Sequence, residues 1–195
     1  MWRRFKSIMS LPSFFNMLAA LIITVIVPSV GYADVCVWRD PERSMIRLFP
    51  KAKDYETIEV KIPAEKLRHI ENRLGRPLDP GERTDWIYYK LRDNDGKTLG
   101  YILTDAENGE YGAIEIVAGI TPDGRVAGVY IQRARERDKE FRSKEFLAQF
   151  AGKTNADPVQ AGKDIKGGKT VPVERVAYGV KKVLVMYDEL KGESK

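Results

Sequence analysis

The sequence predicts an α+β fold: an antiparallel β-meander sheet packed with a few helices. Two observations support this prediction. Strand-like segments follow one another with only short turn sequences between them, which favours antiparallel pairing. A long amphipathic segment near the C-terminus offers one apolar face that can cover such a sheet. The length of 195 residues and the hydrophobic content of 43% fit one globular domain of moderate size.

The first 33 residues have the three-part layout of a secretory signal peptide. They carry basic residues near the start (Arg3, Arg4 and Lys6), then an apolar run over 17–27, and they end in small residues at Ala33. The alternative is a retained membrane anchor, although the apolar run is shorter than the roughly 20 residues that spanning requires. We therefore expect 1–33 to be a signal peptide or an N-terminal anchor.

Either interpretation predicts that the second region, 34–195, is one domain on the outer side of the cell membrane, in the periplasm or at the extracytoplasmic face. The leader holds three basic and no acidic residues, so the formal charge of +5 falls to about +2 for this domain. A nearly neutral domain argues against a nucleic-acid partner. Cys36 is the only cysteine, so an intramolecular disulfide is excluded.

The first predicted elements alternate between strand and helix patterns. An apolar segment over 44–49 is stopped by Pro50, and 55–62 alternates as a strand does. The next segment, 63–74, begins with proline and is followed by Gly75, which fits the capping residue of a short helix. The turn-forming residues over 76–85 predict a loop.

Three or four further strands are predicted in the centre of the domain. They pair through hairpin turns at Asp95-Gly96 and at 122–124. The predicted strands cover 86–92, 97–104, 111–120 and 125–132. Aromatic residues on the first two strands fit a half-buried sheet surface better than a ligand platform.

Two helices are predicted after the sheet. A mixed-charge run over 133–144 precedes them and is typical of a solvated face. Helical spacing of Phe146 and Phe150 predicts a short helix that ends at Gly152, and an apolar stripe predicts a second helix over 172–190. The single histidine, His69, lies on the polar side of the 63–74 helix. One histidine without a neighbouring ligand cluster argues against a hydrolase or a metalloenzyme.

The letters GGKT, residues 167–170, suggest a nucleotide-binding P-loop, but the spacing excludes one. The motif needs a glycine five residues before Gly168, where Lys163 stands, and it needs a buried strand before the loop. Instead, the segment lies at the start of the last helix, where free N–H groups and the helix dipole favour a phosphate. The simpler alternative is that Thr170 only caps this helix.

The segment YGAIEIVAGITPDGRVAGVYI, which starts at Tyr111, resembles the FMN-binding domain of the G and C subunits of the Rnf and sodium-pumping quinone reductase complexes. The segments SMIRLFPKAKDYE and FLAQFAGK, on either side of it, also resemble that family, so the similarity extends from about residue 44 to about residue 184. The resemblance implies an exported or anchored flavoprotein. In that family, FMN is joined through its phosphate to a threonine or serine in a motif close to D-x-x-(S/T)-G-A-(S/T).

On this chain the resemblance places the motif on 164–170. Its cofactor-binding residues are then Asp164, Gly167, Gly168, Lys169 and Thr170, with Thr170 as the hydroxyl that accepts FMN. Two positions depart from the family pattern, because glycine replaces serine or threonine at 167 and lysine replaces alanine at 169. The family's H-x-E-T-P-G-like turn is absent, and only Glu136 matches part of it. Covalent and non-covalent FMN therefore both remain open.

The resemblance implies an electron carrier, or a subunit of a redox complex, more than a self-contained enzyme. Its partners would be a membrane redox complex or cytochrome- and quinone-linked proteins, with a flavin transferase if FMN is covalent. We expect positive charge from Lys169 and Lys166 to stabilise the phosphate or the reduced flavin. Two alternatives are a member that has lost flavin and serves as an assembly module, and an anion or small-ligand sensor.

Overall fold

The computed structural model describes residues 41–192. The predicted leader over 1–33 and Cys36 lie outside the described residues. Within residues 41–192, four α-helices and five strands are formed, with two short 3-10 turns at Pro80–Glu82 and Glu140–Arg142. In chain order the elements are α1 (Pro41–Leu48), β1 (Asp54–Lys61), α2 (Ala64–Leu74), β2 (Asp85–Arg92), β3 (Thr98–Asn108), β4 (Ala113–Ile120), β5 (Val126–Arg133), α3 (Lys144–Ala148) and α4 (Val171–Leu190).

The five strands form one sheet in the order β1-β2-β3-β4-β5, and every neighbouring pair is antiparallel. The predicted turns carry glycines in the left-handed region, Gly96 with φ 76° and Gly124 with φ 82°. Glycine adopts this conformation without the steric cost that other residues meet. The α+β meander predicted from the sequence is confirmed.

Helix α4 covers one face of the sheet. Its predicted apolar stripe is buried throughout (Val173, Val176, Val180, Val183, Leu184 and Tyr187), and it joins the main core, which includes Ile114, Ile116 and Leu103 from the sheet. Burial of such side chains stabilises the fold by roughly 1.5–3 kcal/mol each. The core therefore fixes the position of α4, and with it the segment that leads into α4.

Helix α1 and the residue after it cover the opposite face. A Cβ added to Gly100 would lie 2.5 Å from the Phe49 ring, and one added to Gly119 would lie 2.8 Å from it. These two glycines on β3 and β4 therefore leave a depression for the ring. The 44–49 segment, for which the sequence indicated only apolar character, is mostly helical and packs here with Tyr89, Leu91 and Tyr130.

The aromatic residues of the sheet pack against one another, as the sequence pattern favoured. Ring centroids lie 5.1 Å apart for Trp86 and Tyr88, 5.9 Å for Tyr88 and Tyr101, and 5.1 Å for Tyr101 and Tyr187. Such spacings are typical of stabilising aromatic pairs. These rings connect β2 and β3 to α4.

Most predicted boundaries agree with the structure to within a few residues, and His69 is exposed as expected. The interpretation of 133–144 as a solvated face is wrong in part. Glu136 is only 1% exposed and Phe141 is fully buried. Within residues 41–192, no helix combines the length and apolar character needed to cross a membrane.

Candidate functional site

Thr170 occupies the position directly before α4. Its backbone is extended, with φ −112° and ψ 151°, and its carbonyl accepts the Glu174 N–H at 3.1 Å. Helix geometry leaves the N–H groups of the first turn without intrahelical partners, and Pro172 contributes none. The N–H groups of Val171 and Val173 therefore mark the positive end of a 20-residue helix.

The Thr170 side chain does not cap the helix: among the described residues, it makes no hydrogen bond to an N–H of α4. Its hydroxyl instead donates to Asp138 Oδ2 at 2.6 Å, across 32 positions of the chain. The capping alternative considered for Thr170 is thus wrong as far as the side chain is concerned. The hydrogen bond from Thr170 lowers the pKa of Asp138, and a further bond from the Glu140 N–H acts in the same direction.

A second acidic residue contacts the same segment. Glu140 Oε2 accepts the backbone N–H of Gly168 at 3.0 Å. Glu140 itself is exposed, so this carboxylate can move away at little cost. Two donors of the predicted site, the Thr170 hydroxyl and the Gly168 N–H, are therefore both held by carboxylates.

Side chains from other parts of the chain lie close to Gly167 and Gly168. A Cβ at Gly167 would lie 3.3 Å from both Phe146 and Val173, and one at Gly168 would lie 2.9 Å from Glu140. Serine or threonine at 167 would press against these two apolar side chains. The departure from the family motif at this position therefore has a packing reason.

Gln149 fixes the path of the segment. Its side-chain amide donates to the Lys166 carbonyl at 2.7 Å and its carbonyl oxygen accepts the Lys166 N–H at 2.7 Å. The neighbouring Ile165 is fully buried in the core. A side-chain amide that pairs with both the N–H and the C=O of one residue replaces the two hydrogen bonds that a neighbouring strand would make. The residues leading to Thr170 are thus held in place before any ligand binds.

The remaining predicted residues differ in what they contact. Asp164 accepts the Gln160 N–H at 3.0 Å, so its carboxylate closes a local turn. Lys169 is exposed, and its aliphatic stem runs past Gly162. The structure therefore gives Asp164 a local structural contact and leaves the Lys169 side chain at the surface.

Glu136 lies beneath the loop between β3 and β4. Its carboxylate accepts the N–H groups of Glu110 at 3.2 Å and Tyr111 at 3.0 Å. A Cβ on Gly109 would overlap Glu136, so the loop passes directly over the carboxylate. This buried group anchors the segment that continues to Asp138.

Sequence reasoning missed Asp138 and Glu140, because the charge run was interpreted as a solvated face. The spacing of the acidic residues at 136, 138 and 140 is no sufficient signal, because a bend at 137 and the 3-10 turn that begins at Glu140 decide where these side chains lie. We name the residues that meet at the start of α4, namely Asp138, Glu140, Gly167, Gly168 and Thr170, the Thr170 site.

A second polar cluster lies under α4, where Lys182 contacts three carboxylates. Its Nζ lies 2.6 Å from Asp105, 2.8 Å from Glu107 and 2.6 Å from Glu82. Arg76 also pairs with Glu107, at 2.8 Å. Lys182, Asp105 and Glu107 are all buried. The cluster therefore joins α4 to β3 by charges that are hidden from solvent.

Burial disfavours the charged forms of Asp105 and Lys182, whereas the opposite charge of the other residue favours them. Burial raises the pKa of Asp105 to about 7 against the attraction of Lys182, and the negative charge of Glu107 adds to the rise. Burial acts to lower the pKa of Lys182, but the surrounding carboxylates, Asp105 foremost, raise it above its ordinary value. Within the part of the chain that the structure describes, no group of acidic, histidine or cysteine side chains could hold a metal ion.

No family model matches the chain. It is similar to the G subunit of the ion-translocating oxidoreductase complex of Methanosarcina acetivorans, with 23% identity over 141 residues, covering 70% of this chain and 74% of the relative. It is also similar to the G subunit of the Na⁺-translocating ferredoxin:NAD⁺ oxidoreductase complex of Acetobacterium woodii, with 24% identity over 156 residues, covering 73% and 72%.

A solved structure, that of Shewanella oneidensis NqrC, aligns with 13% identity and a TM-score of 0.45, covering 74% of this chain and 81% of that one. The two sequence relatives carry the conclusion. They confirm the resemblance stated from the sequence: the chain is similar to the G subunits of ion-translocating oxidoreductase complexes.

Proposed function

We propose that the chain is an FMN-binding electron-transfer subunit that works outside the cytoplasm, with FMN joined through a phosphoester to Thr170. The oxidoreductase complexes named for its relatives support a role in electron transfer. The observation that supports Thr170 most strongly is its hydroxyl, which leaves the helix N–H groups uncapped and hydrogen-bonds to Asp138. The partners would be the other subunits of a membrane redox complex, or cytochrome- and quinone-linked proteins.

The residues at the Thr170 site fit a phosphate ester. The Gly168 N–H and the first-turn N–H groups of α4 are donors of the kind that bind phosphate at helix N-termini. Gly167 and Gly168 have no side chains of their own to obstruct a phosphate that approaches the backbone. These donors would hold the phosphate of FMN, with Thr170 as the covalent attachment point.

The two carboxylates set a condition on this fit. Asp138 and Glu140 hold the donors that the phosphate would use. A phosphate bound here would repel both carboxylates, so Glu140 must release the Gly168 N–H when the anion binds, and Asp138 must turn away once Thr170 is esterified. The exposed side chains of Lys169 and Lys166 can offset the added negative charge. Bound FMN supplies redox chemistry that the amino-acid side chains lack.

Covalent attachment has a physical rationale for an exported protein. A cofactor that dissociates outside the cytoplasm is diluted away, whereas a tether holds it at high local concentration. Domain 34–195 would then carry the flavin, and 1–33 would direct it across the membrane or anchor it there. A flavin transferase is the additional partner that this attachment requires.

A direct experiment tests this function. The full chain is co-expressed with a flavin transferase and denatured, and the flavin fluorescence that stays with the polypeptide is measured. We expect fluorescence from the wild type and from Thr121→Val, in which another aspartate-bonded threonine is removed. We expect none from Thr170→Val. Equal fluorescence in all three proteins would refute attachment at Thr170.

The second candidate is a binding or assembly module without flavin in an extracytoplasmic redox complex. The observation that favours it is the pair of carboxylates on the donors of the Thr170 site. A wild-type chain that contains no flavin before or after denaturation, although the transferase is active on another substrate, would support this module and refute the electron carrier.

A further inference from the structure

We propose that a residue of this chain, Asp138, accepts the hydroxyl proton of Thr170 when FMN is attached to Thr170. This inference rests on the proposed function. Its starting observation is the 2.6 Å hydrogen bond from Thr170 Oγ1 to Asp138 Oδ2. Oγ1 is the atom that would form the new ester bond, so Asp138 contacts the reacting atom directly.

The pair differs from the other threonine–aspartate pairs among the described residues. Thr121 donates to Asp123 at 2.5 Å and Thr154 donates to Asp157 at 2.7 Å, each within a few positions of chain. Short-range pairs of this kind are ordinary turn contacts. Thr170 and Asp138 instead come from distant segments, so a local turn does not explain their contact.

Asp138 is itself held in position. The Glu140 N–H donates to its second oxygen, Oδ1, at 2.8 Å, which leaves Oδ2 directed at Thr170. Two residues earlier, the buried carboxylate of Glu136 fastens the same segment to the β3–β4 loop. The backbone that carries Asp138 is therefore held in place, and the hydrogen bond from the Glu140 N–H orients its carboxylate toward Thr170.

The chemistry of attachment needs such a group. Joining a hydroxyl to a phosphate monoester in water is unfavourable, so the donor must be a phosphoric anhydride, here a flavin dinucleotide. Thr170 Oγ1 forms a bond to the flavin-side phosphorus, the bond from that phosphorus to the bridging oxygen breaks, and a nucleoside monophosphate leaves. The hydroxyl proton passes to Asp138. No oxidation or reduction occurs.

An aspartate that accepts the proton of an attacking hydroxyl is an established device of phosphoryl transfer. After the transfer, Asp138 is protonated and neutral, so it does not repel the new phosphodiester. The hydrogen bond from Thr170 lowers the pKa of Asp138, so the side chain is an ionised acceptor before the reaction. An aspartate is ordinarily ionised at neutral pH, so the proton passes to solvent once the attachment is complete, and the carboxylate then turns away from the phosphate.

The test measures two quantities that we expect to change in opposite directions in Asp138→Asn. Purified full chain is incubated with flavin transferase and a flavin dinucleotide, and the intact mass gives the initial rate of attachment. We expect Asp138→Asn to lower this rate roughly a hundredfold, within the range for general base catalysis. Asparagine can still accept the Thr170 hydrogen bond, so the loss would report proton transfer rather than positioning.

The second quantity is non-covalent FMN affinity, measured by titration without transferase. We expect Asp138→Asn to bind FMN several-fold more tightly, because a negative charge beside the phosphate is gone. A misfolded variant would lose both quantities, so tighter binding with slower attachment identifies the chemical role. Asp123→Asn is the matched control and should change neither.

The outcomes separate the inference from the proposed function. Wild-type attachment at Thr170 together with an unchanged rate in Asp138→Asn would overturn the role of Asp138 and leave the flavin carrier intact. Wild-type protein that accepts no FMN from an active transferase would overturn both. Loss of attachment and of FMN affinity together in Asp138→Asn would also overturn the proton-acceptor role, in favour of a structural one.

Discussion

The Thr170 hydroxyl and the Asp138 carboxylate are hydrogen-bonded at 2.6 Å, although 32 positions separate them in the chain. This contact joins the start of α4 to the segment that follows β5. It also brings a negative charge to the place where the proposed FMN phosphate would be attached. We therefore expect the balance of charge around Thr170 to govern FMN binding, and individual substitutions can measure it.

Glu140→Gln should strengthen FMN binding. Glu140 holds the Gly168 N–H at 3.0 Å, and an incoming phosphate must displace this carboxylate. Removing one like charge should gain about 1 kcal/mol, or roughly fivefold in affinity. Calorimetric titration with FMN, in a Thr170→Ala background that prevents attachment, measures the effect. Glu145→Gln, an exposed change on α3, is the control. Weaker binding in Glu140→Gln alone would contradict a repulsive role.

Lys169→Ala should weaken FMN binding, and the effect should fade with added salt. The lysine is exposed, so its attraction for a phosphate is screened by ions. We expect a loss of about two- to fivefold at low ionic strength, as for an exposed charge pair worth up to ~1 kcal/mol. The same titration at low and high salt gives the measurement. Unchanged affinity, flavin content and reduction potential would show that Lys169 has no role.

Gly179→Ala should destabilise the protein although alanine favours helix by about 1 kcal/mol over glycine. A Cβ at this position would overlap Ile116 and lie 2.6 Å from Asp105. Overpacking of this kind costs about 1–3 kcal/mol. Urea denaturation followed by circular dichroism measures the free energy of unfolding, with exposed Glu174→Ala as the control on the same helix. A more stable Gly179→Ala protein would show that α4 can shift away from the sheet.

Asp105→Asn should change how stability depends on pH. Burial raises the pKa of Asp105 from 3.8 to about 7, so the folded protein keeps this proton where the unfolded chain has lost it. The stabilising contribution is complete below pH 4 and disappears as the pH rises through 7. Relative to Asp105→Asn, the wild type should therefore lose stability between pH 4 and 7.

Urea denaturation of both proteins across this pH range tests the sign. A difference between them that stays constant with pH would contradict the raised pKa. A wild type that gains stability relative to Asp105→Asn as the pH rises would show that pairing with Lys182 dominates over burial.

Strong periodic patterns made most of the fold predictable. The apolar stripe of α4 and the glycine-containing turns after β2 and β4 are local signals, and each agrees with the structure. The helical structure of α1 was not predictable, because this segment packs against a depression made by Gly100 and Gly119 on distant strands. A short sequence window contains no information about such a surface.

The predicted site residues form one continuous segment, 164–170, and the structure shows that partners from elsewhere complete its contacts. Asp138 and Glu140 reach it from the loop after β5, and Gln149 holds its backbone from the end of α3. These contacts depend on tertiary folding. A mixed-charge run does not by itself distinguish a solvated face from a set of acceptors aimed at one loop.

The most direct test of the central claim is a peptide map of the full chain after co-expression with a flavin transferase. The denatured protein is digested, and the fragments are sequenced by mass spectrometry. The proposed function predicts one FMN increment, and it predicts that Thr170 carries it. An unmodified Thr170 peptide, or FMN attached to another residue, would contradict the claim.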